Sequence, residues 1–222
     1  MKALILLAIC LTIFSQGLFA GSSRLEKKVQ AATFAVILQD TEGSKHFACT
    51  ATAFQKTKTG YLLLTAGHCV TGEYANLPVF VEKEVDSKFD FLPVTVVKAQ
   101  HDELDFAVLE LQTKDKLPIV KLDKTPDISI GSKVINVNFT EGIGKITSPG
   151  RISSAVSDVS SFDKDCDQCL NHFMVQLFAG PGASGSAIVS QRSGKIIGIL
   201  TGGSGDTIGG FIEPIKAIEA KL

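Results

Sequence analysis

The stretch Leu62-Leu63-Leu64-Thr65-Ala66-Gly67-His68-Cys69 decides how the rest of the chain is interpreted. An apolar run of this length is typical of a buried strand, and the glycine after it marks a turn. His68 is then held at the rim of a rigid element, where a general base has to sit. A histidine after a buried strand is more often structural than catalytic, so the flanking chain has to decide between the two.

Outward from this stretch, short β-branched and aromatic runs alternate with Gly, Pro, Asp and Lys-Thr clusters, a pattern typical of strands and turns. Six predicted strands form a first set and six a second, separated by a connector over 112–131 that is rich in Lys, Asp and Pro. The predicted strands are 34–38, 47–54, 61–65, 78–81, 94–99 and 106–111, then 133–139, 145–156, 173–178, 186–189, 195–200 and 209–212. Ile215, Ile218 and Leu222 have helical spacing and predict a short C-terminal helix. These patterns alone indicate an all-β, two-layered protein.

Two more residues have the chemistry and the setting of a catalytic site. Ser184 lies in Gly180-Pro181-Gly182-Ala183-Ser184-Gly185-Ser186, a tight turn before an apolar strand, although many serines flanked by glycines are only turns. Asp105 leads directly into the apolar run at 106–111, and a carboxylate there can orient an imidazole. Asp102 and Glu103 are competing carboxylates, but neither adjoins the predicted strand.

Together these strings resemble those of trypsin-like serine peptidases. Thr65-Ala66-Gly67-His68-Cys69 is similar to the Thr-Ala-Ala-His-Cys box of that family, and the order His68, Asp105, Ser184 is the chymotrypsin-type order. The resemblance covers about 34–222 and comes closest to the bacterial glutamyl-endopeptidase and HtrA-like branch. It implies two six-stranded antiparallel β-barrels, over about 33–115 and 130–213, within one peptidase domain at 33–222.

The resemblance also implies roles for further residues. The backbone N–H groups of Gly182 and Ser184 are expected to form an oxyanion hole, and Thr201, Gly202 and Gly203 to line the substrate cleft. The acidic residue that trypsin carries at the base of its specificity pocket has no clear equivalent, because Phe178 or Ala179 occupies that region. Activation through a buried N-terminal ammonium is not expected, because Ala183 stands where a partner Asp would be required. No further domain is expected after Leu222.

The N-terminus has the features of an export signal. Lys2 is followed by an apolar stretch that ends at Ala20, which predicts a signal peptide over 1–20. A membrane anchor is the alternative, but the apolar part falls short of the roughly 20 residues that span a bilayer. Residues 21–32 are polar and are expected to be a flexible lead-in or a short prosegment. The product is therefore predicted to be secreted or periplasmic, without membrane attachment once the signal is removed.

Four of the five cysteines remain outside this signal, an even number that favours disulfides in an exported protein. The family resemblance pairs Cys49 with Cys69 beside the histidine. Cys166 and Cys169 form a second pair, for which a local disulfide is favoured. A zinc half-site or a redox-active pair stays open for it, although zinc usually takes four ligands.

The remaining features narrow the class of protein. His46, His101 and His172 have no matching context and are interpreted as surface or loop histidines. A net charge of −1 without basic runs argues against a nucleic-acid partner. No metal motif, phosphate loop or dinucleotide fingerprint occurs, so no metal and no cofactor is expected.

The predicted function is a serine endopeptidase acting on proteins or peptides. Its alternatives are a catalytically impaired binding protein on the same fold and a lipase or esterase, which requires long helices.

Overall fold

The computed structural model describes residues 23–85, 88–157, 172–203 and 209–222. The chain begins with helix α1 (Arg24–Ala32). The first six strands are β1 (Thr33–Gln39), β2 (Lys45–Lys56), β3 (Gly60–Thr65), β4 (Val79–Val85), β5 (Lys88–Gln100) and β6 (Phe106–Gln112). The next six are β7 (Lys133–Asn138), β8 (Ile146–Ser157), β9 (His172–Gln176), β10 (Ala187–Ser190), β11 (Ile196–Gly203) and β12 (Gly209–Pro214). The short helix α2 (Ile215–Glu219) follows.

The strands close into two antiparallel barrels. The first has the order β1-β2-β3-β6-β5-β4 and the second β10-β11-β12-β9-β8-β7. Closure removes the free strand edges that an open sheet would expose. The prediction of two six-stranded barrels with a short C-terminal helix is confirmed. The long helices that the lipase or esterase alternative requires are not found in the described residues, whose two α-helices span nine and five residues.

The core explains why the two barrels pack together. The larger cluster of buried apolar side chains takes members from both barrels, including Leu63 and Leu109 of the first and Ile135 and Ile199 of the second. A second cluster, around Phe173 and Ile188, fills the interior of the second barrel. Because one cluster crosses the junction, hydrophobic burial holds the two barrels against each other. The junction is where residues from both barrels can meet.

Residues 24–32, expected to be a flexible lead-in or a short prosegment, form helix α1. Ser23 caps it: its hydroxyl accepts from the Glu26 amide (3.1 Å), and the Glu26 carboxylate accepts from the Ser23 amide (2.5 Å). Val29 is fully buried, so the helix packs on the domain. The Gln30 amide donates to Thr147 Oγ1 of β8 (2.7 Å), and the Lys145 ammonium donates to the Gln30 carbonyl (2.8 Å). An apolar face of only a few residues was too short to stand out in the polar sequence.

Two expectations from the sequence fall on residues outside the described ranges: the signal peptide over 1–20 and the pair Cys166 and Cys169. In the described part of the chain, no helix has the length and apolar character needed to cross a membrane.

Candidate active site

The predicted general base lies on a turn that packs closely against a neighbouring strand. After β3 the chain forms a single 3-10 turn over Gly67–Cys69. A Cβ on Gly67 would stand 1.8 Å from the carbonyl oxygen of Gln100, so the turn lies directly against the end of β5. The Cys49–Cys69 disulfide, present as the resemblance implied, ties this turn to β2. The position of His68 is therefore held from both sides.

Asp105 is the carboxylate that meets His68, and it does so with both oxygens. Oδ2 lies 2.6 Å from His68 Nδ1, and Oδ1 accepts the backbone N–H of His68 at 2.8 Å. Of the competing carboxylates, Glu103 instead pairs with the Lys221 ammonium (3.2 Å). Two contacts on one histidine fix both the turn and the ring, leaving Nε2 on the far side of the imidazole.

Opposing effects set the charge of Asp105. Burial of the carboxyl raises its pKa, but the hydrogen bond and positive potential of His68, the His68 backbone N–H and the nearby His101 together lower it. The net result is an Asp105 pKa below the ordinary aspartate value. The group is therefore an anion at neutral pH, able to hold an N–H at His68 Nδ1.

Ser184 lies in the loop between β9 and β10, and the first barrel holds that loop through Thr50. The Thr50 amide donates to the Ser184 carbonyl (2.8 Å), and the Thr50 hydroxyl donates to the Gly182 carbonyl (2.9 Å). From the second barrel, the Gly185 amide donates to the Leu200 carbonyl (2.7 Å). The serine loop thus spans the junction between the barrels. A cleft of about 600 Å³ is lined by both His68 and Ser184, with Phe47 and Gly182 in its wall.

The peptide bond between Pro181 and Gly182 has a defined orientation. Its carbonyl oxygen accepts the backbone N–H of Glu141 at 2.7 Å. The bond is trans, so the Gly182 N–H points away from Glu141. Gly182 has φ +89°, and Glu141 is the one non-glycine residue with positive φ in the described part of the chain (φ +56°). Among the described residues, the N–H groups of Gly182 and Ser184 donate no hydrogen bond.

Thr201, Gly202 and Gly203 form the end of β11. Gly202 lies opposite Phe211 of β12, and the Thr201 hydroxyl donates to the Phe211 carbonyl (3.4 Å). Pairing of β11 with β10 ends at Ile199, so among the described residues the other edge of this segment has no partner strand. Thr201 and Gly202 are partly exposed, and Gly203 is exposed.

Sequence reasoning missed two residues beside Asp105 and a third that contacts one of them. His101 Nδ1 lies 3.3 Å from Asp105 Oδ1, and Glu213 Oε2 accepts the Asp105 backbone N–H at 3.5 Å. His172 Nε2 lies 3.3 Å from Glu213 Oε2. The interpretation of His172 as a surface or loop residue is wrong, because it is buried at the start of β9. A glutamate inside the apolar strand at 209–214 was the available signal. His46 is exposed and pairs with Asp40, as expected for a surface histidine.

Comparisons with known proteins agree with this geometry. The family model described as "Trypsin-like peptidase domain" matches residues 49–199, more than half of the chain. No curated protein matches the sequence.

Among solved structures, the HtrA-type protease AlgW with tripeptide has a TM-score of 0.70 and 21% identity over 88% of this chain and 60% of its own. A serine endoprotease from Yersinia pestis has a TM-score of 0.68 and 18% identity, covering 91% of this chain and 66% of the Yersinia protein. The active form of the Rv3671c protease from M. tuberculosis has a TM-score of 0.68 and 17% identity, covering 90% of this chain and 82% of Rv3671c. These structures share the fold, and the chain spans about 60% of AlgW. Because the family model matches more than half of this chain, the chain belongs to the family of trypsin-like peptidase domains, which are serine-type peptidases.

Proposed function

We propose that this chain is an exported serine endopeptidase that hydrolyses peptide bonds through an acyl-enzyme, with His68, Asp105 and Ser184 as its catalytic residues. The observation that carries the proposal is the double contact of Asp105 with His68, next to a cleft that His68 and Ser184 both line. A buried carboxylate that fixes an imidazole beside an accessible serine is the arrangement that activates a hydroxyl nucleophile.

The proposed reaction proceeds in two halves. Ser184 Oγ attacks the scissile carbonyl carbon while His68 Nε2 takes its proton, and the carbonyl π pair moves onto oxygen. The imidazolium is stabilised by the ionised Asp105 and then gives the proton to the leaving amine as the C–N bond breaks. Water, deprotonated by His68, attacks the acyl-enzyme ester, and the proton returns to Ser184 Oγ as the acid product leaves. Each half regenerates a neutral imidazole.

The N–H groups of Gly182 and Ser184 are proposed to stabilise the oxyanion. The bond from Glu141 to the Pro181 carbonyl supports this, because it keeps the Gly182 N–H turned away from Glu141 before substrate arrives. Ala183 is fully buried and carries no charge, so it offers no partner to a buried N-terminal ammonium. We therefore propose that the hole is preformed by packing and needs no newly freed N-terminus.

The substrates are proposed to be peptides or proteins bound as an added strand along Thr201–Gly203. The partly exposed, unpaired edge of β11 in the described chain supports this mode of binding, since extended peptides pair with free strand edges. AlgW, which shares this fold, was solved with a tripeptide.

Serine-directed labelling with a fluorophosphonate, together with turnover of a mixed peptide library, tests the chemistry. Ser184→Ala should lose the label and lose turnover on the order of 10⁴-fold or more. Ser186→Ala is the matched control, because its hydroxyl is fully buried beside Asn136 Nδ2 (2.8 Å) and cannot reach the reagent. Labelling of Ser184→Ala, or no label on the wild type, contradicts the proposal, and the second result favours the impaired binding protein.

Export is proposed from the signal-like segment at 1–20. Expression of the full chain in a bacterial host, followed by N-terminal sequencing of the protein outside the cytoplasm, should give a chain that starts at Gly21, with Ser22 or Ser23 as neighbouring sites. Retention of the intact Met1 terminus in the cytoplasm contradicts export.

A further inference from the structure

His101 adds a third side chain able to coordinate a metal ion to the His68–Asp105 pair. It is the first residue after β5, and its Nδ1 lies 3.3 Å from Asp105 Oδ1. His68 Nδ1 lies 2.6 Å from the other oxygen of the same carboxylate. The two imidazole rings stand nearly edge to face, with centroids 5.9 Å apart. Ligand atoms of all three residues lie within 4.8 Å of one another.

His101 Nδ1 is buried and makes no hydrogen bond within the described residues, although a carboxylate oxygen is close. Its lone pair and that of the carboxylate can instead be shared by a cation. The side chains of His68 and His101 are 32% and 43% exposed, so a cation reaches the buried Nδ1 of His101 once its ring turns outward.

Two imidazoles and one carboxylate are a donor set that zinc takes, with a fourth position left to water. Tetrahedral zinc with bonds of about 2.0–2.1 Å places neighbouring ligand atoms about 3.3 Å apart. The separation of His101 Nδ1 from Asp105 Oδ1 equals this value. His68 Nδ1 lies 2.6 Å from the other oxygen, Oδ2, so the carboxylate has to turn to present one oxygen to both nitrogens. Binding therefore requires the carboxylate and the two partly exposed imidazole rings to turn toward one point.

We propose that His68, His101 and Asp105 form a reversible binding site for Zn²⁺ that switches the peptidase off. Ligation through His68 Nδ1 breaks the hydrogen bond to Asp105 and moves the ring proton to Nε2. An imidazole with its proton on Nε2 cannot accept the proton of Ser184, so the first half-reaction stops. The inhibition rests on the proposed function, whereas the binding of zinc does not.

His101 is the residue that distinguishes this site from an ordinary His–Asp pair. Without it, only His68 and Asp105 remain, and two ligands hold zinc poorly. His101 lies outside the cleft-lining set and takes no part in the proposed reaction. Its removal should therefore abolish zinc sensitivity while leaving the three proposed catalytic residues in place.

Calorimetry with zinc chloride on the Ser184→Ala protein tests binding without self-digestion. One zinc should bind per chain, and adding His101→Asn should weaken the affinity roughly tenfold or more. His46→Asn is the matched control, because His46 is an exposed histidine with its own carboxylate partner at 2.7 Å, and it should leave the affinity unchanged. Equal affinity in the His101→Asn protein, or equal loss in the His46→Asn protein, overturns the site.

Peptide turnover tests the switch. Zinc should inhibit the wild type, EDTA should restore its activity, and the His101→Asn enzyme should be active and resistant. Equal inhibition of both enzymes overturns the proposal. If the wild type proves inactive under all conditions, the proposed function fails, but the calorimetry still decides whether zinc binds at these three residues.

Discussion

Replacing Gly182 with alanine tests whether the serine loop is held in one working conformation. Gly182 has φ +89°, a region that residues with a Cβ avoid. An added methyl carbon would lie 2.1 Å from Phe47 Cε1, 2.6 Å from Phe47 Cζ and 2.9 Å from the Phe139 carbonyl oxygen. Carbon atoms in ordinary contact stand about 3.5–4.0 Å apart. The ring can turn away, but the backbone carbonyl cannot.

The size of the effect follows from these contacts. Positive φ costs about 1 kcal/mol for a residue with a Cβ, and overpacking costs about 1–3 kcal/mol. The loop can escape this cost only by shifting the Gly182 backbone, which moves its N–H away from the developing oxyanion. Loss of one such donor lowers kcat by about 10²–10³-fold. We therefore expect a large fall in kcat for Gly182→Ala, with KM little changed.

The assay is steady-state turnover of one peptide, with unfolding in urea measured in parallel. Gly131→Ala is the matched control, because Gly131 has nearly the same φ (+85°) but no atom within 4 Å of an added Cβ. It should lose only about 1 kcal/mol of stability and keep its kcat. If Gly182→Ala has the kcat of Gly131→Ala, the argument that the Gly182 N–H must stay in place is refuted.

Three other predictions concern the groups around His68. Replacing Cys49 and Cys69 by alanine should lower the free energy of unfolding, measured in urea, by about 3 kcal/mol. The reason is that the unfolded chain is no longer restricted by a cross-link between residues 20 positions apart. An unchanged free energy of unfolding argues against the disulfide. The pKa of Asp105 is lower in the folded protein than in the unfolded chain, so the ionised carboxylate stabilises the fold. This contribution is complete above the unfolded pKa of about 3.9 and is lost as the pH falls through the lower folded pKa. The unfolding free energy of Asp105→Asn should therefore fall less steeply below pH about 4 than that of the wild type, and parallel curves refute this. Glu213→Gln should cost about 1–3 kcal/mol of stability and lower kcat more than it changes KM. It weakens the buried contacts of Glu213 to His172 and to the Asp105 backbone. A Glu213→Gln protein with the stability and kcat of the wild type contradicts this.

The strands were predictable because each carries its own signal. Every predicted strand overlaps an observed one, since β-branched and aromatic runs bounded by Gly and Pro are local features. Helix α1 was missed because its polar residues outnumber the two that it buries, Val29 and Ala32. Its stability comes from the Ser23 cap and from packing on the domain, and packing partners cannot be identified within a nine-residue window.

The candidate site divides in the same way. The sequence by itself singled out the serine loop, the histidine string and the aspartate before a strand, because each is a short local pattern, and the resemblance to the peptidase family supplied their expected roles. Only the tertiary structure decided that His101 and Glu213 also face Asp105. Glu213 is 108 residues away along the chain and belongs to the other barrel. Contacts of that kind arise from how two closed barrels pack. The sequence signals that Glu213 is unusual inside an apolar strand, but it does not identify the distant partner that the glutamate meets.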